Sequence, residues 1–136
     1  NKETNTMKEF EAYVKKQLEP FTDVPVIFTS TVTKQRLLKA IETAVTVYEN
    51  KKRRITTSKL NETMLEIIQQ YSPPAIKGKF VKIKYCMQLP THTPQFAFFA
   101  NLPQYVRDPY RRYLENKLRE IYDFNGVPLT IYFRQK

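Results

Sequence analysis

The residues that could take part in chemistry are few in this chain, and their spacing excludes several classes of site. His92 is the only histidine and Cys86 the only cysteine, so zinc sites built on histidine pairs and thiolate metal clusters are excluded. The two glycines, Gly78 and Gly126, lack the spacing of a phosphate-binding loop. We therefore expect no catalytic residue and no metal site, with Cys86 a small buried apolar residue and His92 a solvated loop residue.

Basic residues interleaved with aromatic ones are the stronger signal, because positive charge binds phosphate and exposed rings stack on unpaired bases. Residues 1–50 contain seven Lys or Arg and seven Asp or Glu, whereas residues 51–136 contain sixteen and six, so the net charge of +10 lies in the second part. This step predicts two units with different partners, and a polyanion, most of all nucleic acid, as the partner of the second. A basic surface with no specific partner explains the charge about equally well.

The candidate RNA-binding residues lie on predicted helices and strands of the second part. They are Lys51, Lys52, Arg53, Arg54, Lys82, Lys84, Arg111, Arg112, Lys117, Arg119 and Arg134. Tyr132 shares a predicted sheet face with Arg134, since residues two apart on a strand lie on the same side. For most of the aromatic residues, burial in the core is nevertheless the more frequent outcome. The run from Lys51 to Arg54 also fits a solvated helix end.

The first fifty residues have the pattern of an incomplete α/β unit. The spacing of apolar residues predicts one helix from about Thr6 to Leu18 and another from Leu37 to about Tyr48. The apolar run at 24–29, between turn-type residues, is typical of a buried parallel strand. A single strand does not make a parallel sheet, so we expect this segment to require further structure or to pair its open edge in a dimer of this chain.

The second part has the pattern helix, strand, strand, helix, strand. Thr57 or Ser58 can cap the first helix and Asp108 the second, which Asn125-Gly126 would end. The strands are predicted near residues 79–87, 95–101 and 129–134. Strict alternation in the first strand puts Val81, Ile83, Tyr85 and Met87 on one face and Lys82, Lys84 and Cys86 on the other. A three-stranded sheet with both helices on one face would bury both helical stripes, which is an α+β fold.

Three stretches of the second part resemble one bacterial protein family. The C-terminal domain of the double GTPases known as Der or EngA is similar to RRITTSKLNETM at 53–64, KIKYCMQLPTHTPQFAFFANLP at 82–103 and DPYRRYLENKLREIYDFNGVPLTIYFRQK at 108–136. The most specific part is YRRYLENKLRE followed by FNGVPLTIYFR. The resemblance implies that residues 51–136 form a KH-like domain with a three-stranded sheet. It also implies that residues 1–50 are the helix-strand-helix end of the second GTPase domain.

The resemblance further implies a function at the ribosome. Members of the family are GTP hydrolases that act in assembly of the large (50S) ribosomal subunit, and their KH-like domain contacts ribosomal RNA. Ser30 matches the serine of the family's guanine-contacting loop, while Thr31 replaces its alanine. Because the chain has no phosphate-binding loop, GTP is implied as the cofactor of a longer protein only, and this chain alone should not hydrolyse it. The Gly-x-x-Gly loop of ordinary KH domains is also missing, so RNA contact would use the basic residues.

Composition and resemblance together bear on location and partners. No apolar run is long enough to span a membrane, and no secretory signal opens the chain. The single cysteine forms no internal disulfide, which favours the reducing cytoplasm, and the resemblance favours association with ribosomes. An alternative function stays open: the basic domain docks onto the GTPase domains of its own longer chain and controls them without binding RNA.

Overall fold

A three-stranded mixed sheet and four α-helices make up the part of the chain that the computed structural model describes, residues 2–19 and 21–135. The helices are α1 (Lys2–Gln17), α2 (Leu37–Lys52), α3 (Thr57–Gln70) and α4 (Asp108–Tyr122), and a short 3₁₀ helix spans Pro103–Tyr105. The strands are β1 (Ile83–Gln88), β2 (Gln95–Ala100) and β3 (Thr130–Gln135). The predicted α+β fold with three strands is confirmed. No helix in the described ranges is long and apolar enough to cross a membrane.

The sheet has the order β1-β2-β3, with β1 antiparallel to β2 and β2 parallel to β3. Parallel neighbours need a crossover connection, and α4 lies in the one between β2 and β3. Phe96 and Phe98 of β2 are fully buried on the side that α3 and α4 cover. The helices contribute Leu60, Met64, Leu114 and Leu118 to the same core. Both helical stripes are therefore buried on one face of the sheet, as predicted.

A β-bulge at Lys84 changes the predicted alternation of β1. Between the pairs made by Ile83 and Tyr85, β1 advances by two residues while β2 advances by one. After the bulge, Cys86 faces the core and is fully buried, while Tyr85 lies on the opposite face and is partly exposed. The prediction that Tyr85 and Met87 share a face with Ile83 is therefore wrong, because strict alternation does not survive an inserted residue.

The segment of residues 21–30 forms neither strand nor helix, which contradicts the strand predicted at 24–29. Val26 and Phe28 are only half-buried, and no strand of the described residues pairs with this segment. A strand is stabilised by the backbone hydrogen bonds of its neighbour. The apolar pattern alone does not reveal whether that neighbour is present.

Helix ends differ from the predicted caps by one to three residues. Thr56 caps α3, its side chain accepting a hydrogen bond from the backbone N–H of Lys59 at 3.4 Å. Arg107 precedes α4, so that Asp108 lies in the first turn of the helix. α4 ends at Tyr122, and its C-cap is Asp123, which adopts the left-handed conformation with φ of 48°, rather than Asn125-Gly126. Short polar side chains tolerate that conformation almost as glycine does.

The segment from residue 21 to 52 packs against the C-terminal half of α4 and the turn after it. Asp23 Oδ2 lies 2.8 Å from Arg119 Nη1, and Asn50 Nδ2 donates a hydrogen bond to the carbonyl oxygen of Asn125 at 3.0 Å. Gly126 has a φ of +77°, and a Cβ at this position would come within 2.8 Å of a side chain of α2. The two predicted units therefore share a contact with room only for glycine at position 126.

Candidate nucleic-acid interface

The outer side of α4 presents three of the predicted RNA-binding residues. Arg112 is exposed and makes no hydrogen bond or ion pair with any residue that the structure describes. Arg111 Nη1 lies 3.6 Å from the carboxylate of Asp108, and Lys117 Nζ lies 3.3 Å from that of Glu120. Because ion pairs at the surface are weak and screened by salt, these three cations remain available to a phosphate.

Arg119 has partners within the chain, and its contact with RNA stays a prediction. Its side chain is only 14% exposed. The guanidinium contacts the carboxylates of Asp23 at 2.8 Å and Glu115 at 3.4 Å, and it donates a hydrogen bond to the carbonyl oxygen of Phe124 at 3.1 Å. Arg119 therefore joins the two parts of the chain.

The four residues of the basic cluster Lys51–Arg54 also differ in whether their side chains have partners within the chain. Arg54 donates hydrogen bonds to two carbonyl oxygens of the loop that joins β1 to β2, one of them that of Leu89 at 2.8 Å. Arg53 Nη2 donates to Asn50 Oδ1 at 3.3 Å. The two lysines end α2 and are exposed, where the helix dipole favours positive charge. Of the four, only Lys51 makes no hydrogen bond, ion pair or ring contact with the described residues, since Lys52 Nζ lies 5.2 Å from the centroid of the Tyr48 ring.

The face of the sheet that α3 and α4 leave uncovered brings aromatic and basic residues together. Tyr85 and Phe99 are paired across β1 and β2, with their ring centroids 5.8 Å apart. Arg134 is paired with Phe99, and its guanidinium lies 5.7 Å from the centroid of the Tyr132 ring. Lys84 is exposed at the bulge of β1. We define the open sheet face as Tyr85, Met87, Ala97, Phe99, Tyr132 and Arg134.

Counting charge over residues 51–136 as a whole conceals one further signal in the sequence. Residues 67–107 contain no Asp or Glu. This stretch holds β1 and β2 together with Lys82 and Lys84, which are both exposed. β3 contains no acidic residue either. The three strands that form the open sheet face therefore carry positive charge and no carboxylate of their own.

The predicted guanine-loop residues lie in and beside the turn that follows residue 30. Ser30 Oγ accepts a hydrogen bond from the backbone N–H of Thr33 at 3.2 Å, and Thr31 is exposed. Arg36 Nη1 donates to the carbonyl oxygen of Phe28 at 3.4 Å. The hydroxyl of Ser30 thus stabilises this turn, and contact with guanine by Ser30 and Thr31 stays a prediction.

Cys86 and His92 lie in different environments. Cys86 is fully buried, as predicted, and burial raises the pKa of its thiol to about 12. The thiol is therefore protonated and unreactive at neutral pH. His92 is exposed in the loop between β1 and β2. Among the described residues, no group of three or more His, Cys, Asp or Glu side chains could hold a metal ion.

Comparisons with known proteins agree with this fold. Residues 54–134, which span α3 to β3, match a family model described as the KH-domain-like C-terminal part of EngA bacterial GTPase enzymes. The chain is similar to proteins named GTPase Der from Christiangramia forsetii (64% identity over 136 residues), Flavobacterium johnsoniae (64% over 135) and Bacteroides fragilis (56% over 137). These alignments cover 99 to 100% of the chain but 31% of each relative, so the chain spans about a third of their length. The chain thus belongs to the family of KH-domain-like C-terminal domains of EngA bacterial GTPases.

Proposed function

We propose that this chain contains the RNA-contacting, KH-like domain of a GTP-binding protein that acts in assembly of the large ribosomal subunit. The name GTPase Der of its relatives supports GTP as the cofactor of a longer protein. Residues 51–136 would form the KH-like domain, and residues 1–50 the end of the second GTPase domain, with Ser30 and Thr31 in its guanine-contacting loop. The partners would be ribosomal RNA and the GTPase domains of the same protein, in the cytoplasm.

The observation that carries this proposal is the exposure of unneutralised positive charge on the KH-like part. Exposed or weakly paired cations lie on the outer side of α4, on both edge strands of the sheet and directly before β1. They are Lys82, Lys84, Arg111, Arg112, Lys117 and Arg134. Each such cation that meets a phosphate releases counterions from the nucleic acid, which is the main source of affinity for RNA backbones.

The direct test is binding of the chain to purified large ribosomal subunits and to bulk RNA across a salt series. If five cations contact phosphates of single-stranded RNA, the slope of log affinity against log salt should be about −3.5. The proposal also requires tighter binding to large subunits than to bulk RNA of equal mass. Equal and weak binding to both would contradict it.

Reversing one charge on α4, and comparing it with the same change elsewhere in the chain, tests whether the outer side of α4 binds RNA. Arg112→Glu should weaken binding to large subunits by about tenfold, because Arg112 is exposed and has no partner among the described residues. Lys39→Glu makes the same change of charge at an exposed position of α2, in the electrically neutral part of the chain, and should leave affinity nearly unchanged. Equal losses in the two variants would show that only the net charge matters.

A second candidate function is intramolecular docking, and the apolar side of α2 favours it. Leu38, Ile41 and Val45 are exposed large apolar residues on this helix, which suits contact with another protein surface. In this alternative the basic face docks onto the GTPase domains and controls them. Reversal of charge at Arg111 and Arg112 in the full-length protein separates the two: loss of RNA binding with unchanged GTP turnover favours RNA contact. Altered GTP turnover without RNA favours docking.

A further inference from the structure

We propose that the open sheet face is a stacking platform for unpaired RNA bases. This inference rests on the proposed RNA contact and specifies the form of RNA that the sheet binds, namely single-stranded nucleotides. The platform lies on the side of the sheet away from the core that α3 and α4 cover. It therefore adds to the cations of α4 a second surface, which recognises bases as well as phosphates.

The strand register arranges the platform in two rows across the sheet. One row is Tyr85, Phe99 and Arg134, and the next is Met87, Ala97 and Tyr132. Tyr85 and Tyr132 lie on the two edge strands and keep 37% and 39% of their surface exposed. Strands are about 4.8 Å apart and residues rise about 3.3 Å along a strand, so these two positions, which are two strands and one row apart, are separated by about 12 Å. That spacing lets each tyrosine take a different base.

The aromatic rings of the open sheet face suit flat apolar ligands. Ala97, in the middle of one row, is fully buried, whereas Phe99, in the middle of the other row, is partly exposed beside Tyr85. Tyr85 and Phe99 contact each other with tilted rings, 44° between planes. Exposed aromatic surface of this kind is stabilised when a further ring covers it. Base stacking on such side chains tolerates any base, because every base has a π-face.

The positive charge at the open sheet face favours a nucleic acid, rather than an apolar protein segment, as the ligand. The guanidinium of Arg134 lies against the Tyr132 ring, and Lys84 is exposed on the opposite edge strand. The strands contain no Asp or Glu to neutralise them. An apolar partner would desolvate these cations without compensation, which is costly. A single strand of RNA offers bases to the rings and phosphates to the cations.

Replacement of the rings by leucine tests the platform while keeping the apolar contacts to the sheet. Tyr85→Leu and Tyr132→Leu should each weaken binding of a short oligouridylate by about five- to a hundredfold, the effect of losing one base–aromatic stack. Tyr48→Leu is the matched control, since Tyr48 is also an exposed tyrosine with a cation over its ring, Lys52 Nζ at 5.2 Å. It lies on α2, away from the sheet, and should bind as the unaltered chain does.

The salt dependence separates stacking from phosphate contact. Both leucine variants should keep the salt slope of the unaltered chain, whereas Arg134→Gln should reduce it by about 0.7. If the unaltered chain binds oligouridylate and the leucine variants bind it equally well, the platform is overturned while the proposed RNA contact stands. If the chain binds neither oligouridylate nor large subunits, both proposals fail. Equal loss of affinity for an RNA duplex of the same length also overturns stacking, because a duplex has no unpaired base.

A fluorescent variant gives a second readout that does not depend on affinity. The chain contains no tryptophan, so Tyr132→Trp introduces a single tryptophan on the platform, whose emission can be excited selectively over that of the tyrosines. Saturating oligouridylate should quench its emission and leave that of Tyr48→Trp unchanged. Saturated binding without quenching at position 132 overturns the proposal.

Discussion

At the scale of single residues, the surroundings of Cys86 keep its thiol in the protonated form. The residue is fully buried between β1 and α3, and burial raises its pKa to about 12. Because the thiolate is the reactive form, we expect an aromatic disulfide reagent at pH 8 to modify the native chain only when the fold opens. Urea below the unfolding transition should increase the rate several-fold, which absorbance of the released thiol measures.

An exposed thiol provides the control for this prediction. In a chain carrying Cys86→Ala and Ser58→Cys, the cysteine lies on the exposed first turn of α3 and should react at once, without dependence on urea. Fast reaction of native Cys86 would contradict its burial.

The unfolded thiol has a pKa of about 8.5, so between about pH 8.5 and 12 unfolding releases its proton. Stability should therefore fall as pH rises through this window, and Cys86→Ala should remove that part of the fall.

The two roles of arginine show what single residues in a sequence cannot reveal. Arg112 and Arg119 lie on the same helix, yet Arg112 is exposed and Arg119 is bound by Asp23 and Glu115. Arg119 lies 96 residues from Asp23 in the sequence. Residue type and helical position predicted positive charge on α4 correctly. Which cation faces a distant carboxylate depends on how the chain folds back, and local spacing carries no information on that.

At the scale of elements, apolar periodicity predicted the helices and strands of the KH-like part but not the faces of β1. The stripes of α3 and α4 and the alternation of β3 follow from local spacing. The bulge at Lys84 depends on pairing with β2. Asn61 of α3 also binds this edge strand, with Oδ1 accepting from the N–H of Cys86 at 2.8 Å and Nδ2 donating to its carbonyl at 2.7 Å. Such hydrogen bonds between elements produce no periodic pattern of residue types in a sequence.

The turn after α4 gives a prediction about how the two parts of the chain are joined. Gly126 and Gly78 both have positive φ, +77° and +74°. A Cβ at Gly126 would lie 2.8 Å from Val47 Cγ2 and 3.0 Å from Pro25 Cδ, whereas nothing lies within 4 Å of a Cβ at Gly78. Both alanine variants should lose about 1–2 kcal/mol to backbone strain, and Gly126→Ala about 1–3 kcal/mol more to overpacking.

Urea denaturation followed by far-UV circular dichroism measures this difference. Gly78→Ala isolates the backbone contribution, so the excess loss in Gly126→Ala reports the contact with residues 21–52. Equal losses in the two variants would mean that the two parts separate at little cost in free energy. The same contact includes the Asn50–Asn125 hydrogen bond at 3.0 Å. A much larger loss of unfolding free energy in Gly126→Ala than in Gly78→Ala would therefore mean that residues before position 51 unfold together with the KH-like part.

At the scale of the whole molecule, charge and apolar exposure occupy different parts of the chain. Unneutralised cations lie on the KH-like part, whereas Leu38, Ile41, Val45 and Tyr48 form an exposed apolar stripe on α2. Among the residues that the structure describes, no strand pairs with residues 21–30, although the sequence pattern implied one. The composition of the chain predicted the basic half. The sequence pattern predicted that residues 1–50 require further structure, but not that the uncovered surface would be this side of α2, because an apolar pattern indicates burial and does not say which surface covers it.

The exposed stripe of α2 makes self-association of this chain a testable expectation. Apolar side chains at this spacing on one helix face are stabilised by burial against a second copy, so we expect sedimentation velocity to show a dimer at high concentration that dissociates on dilution. Ile41→Glu should shift the chain to monomer by placing charge in the contact. Asn5→Glu, at an exposed position of α1, adds the same charge elsewhere and should leave the dimer intact. A monomer at every concentration would contradict self-association and leave the stripe as a surface for a different protein domain.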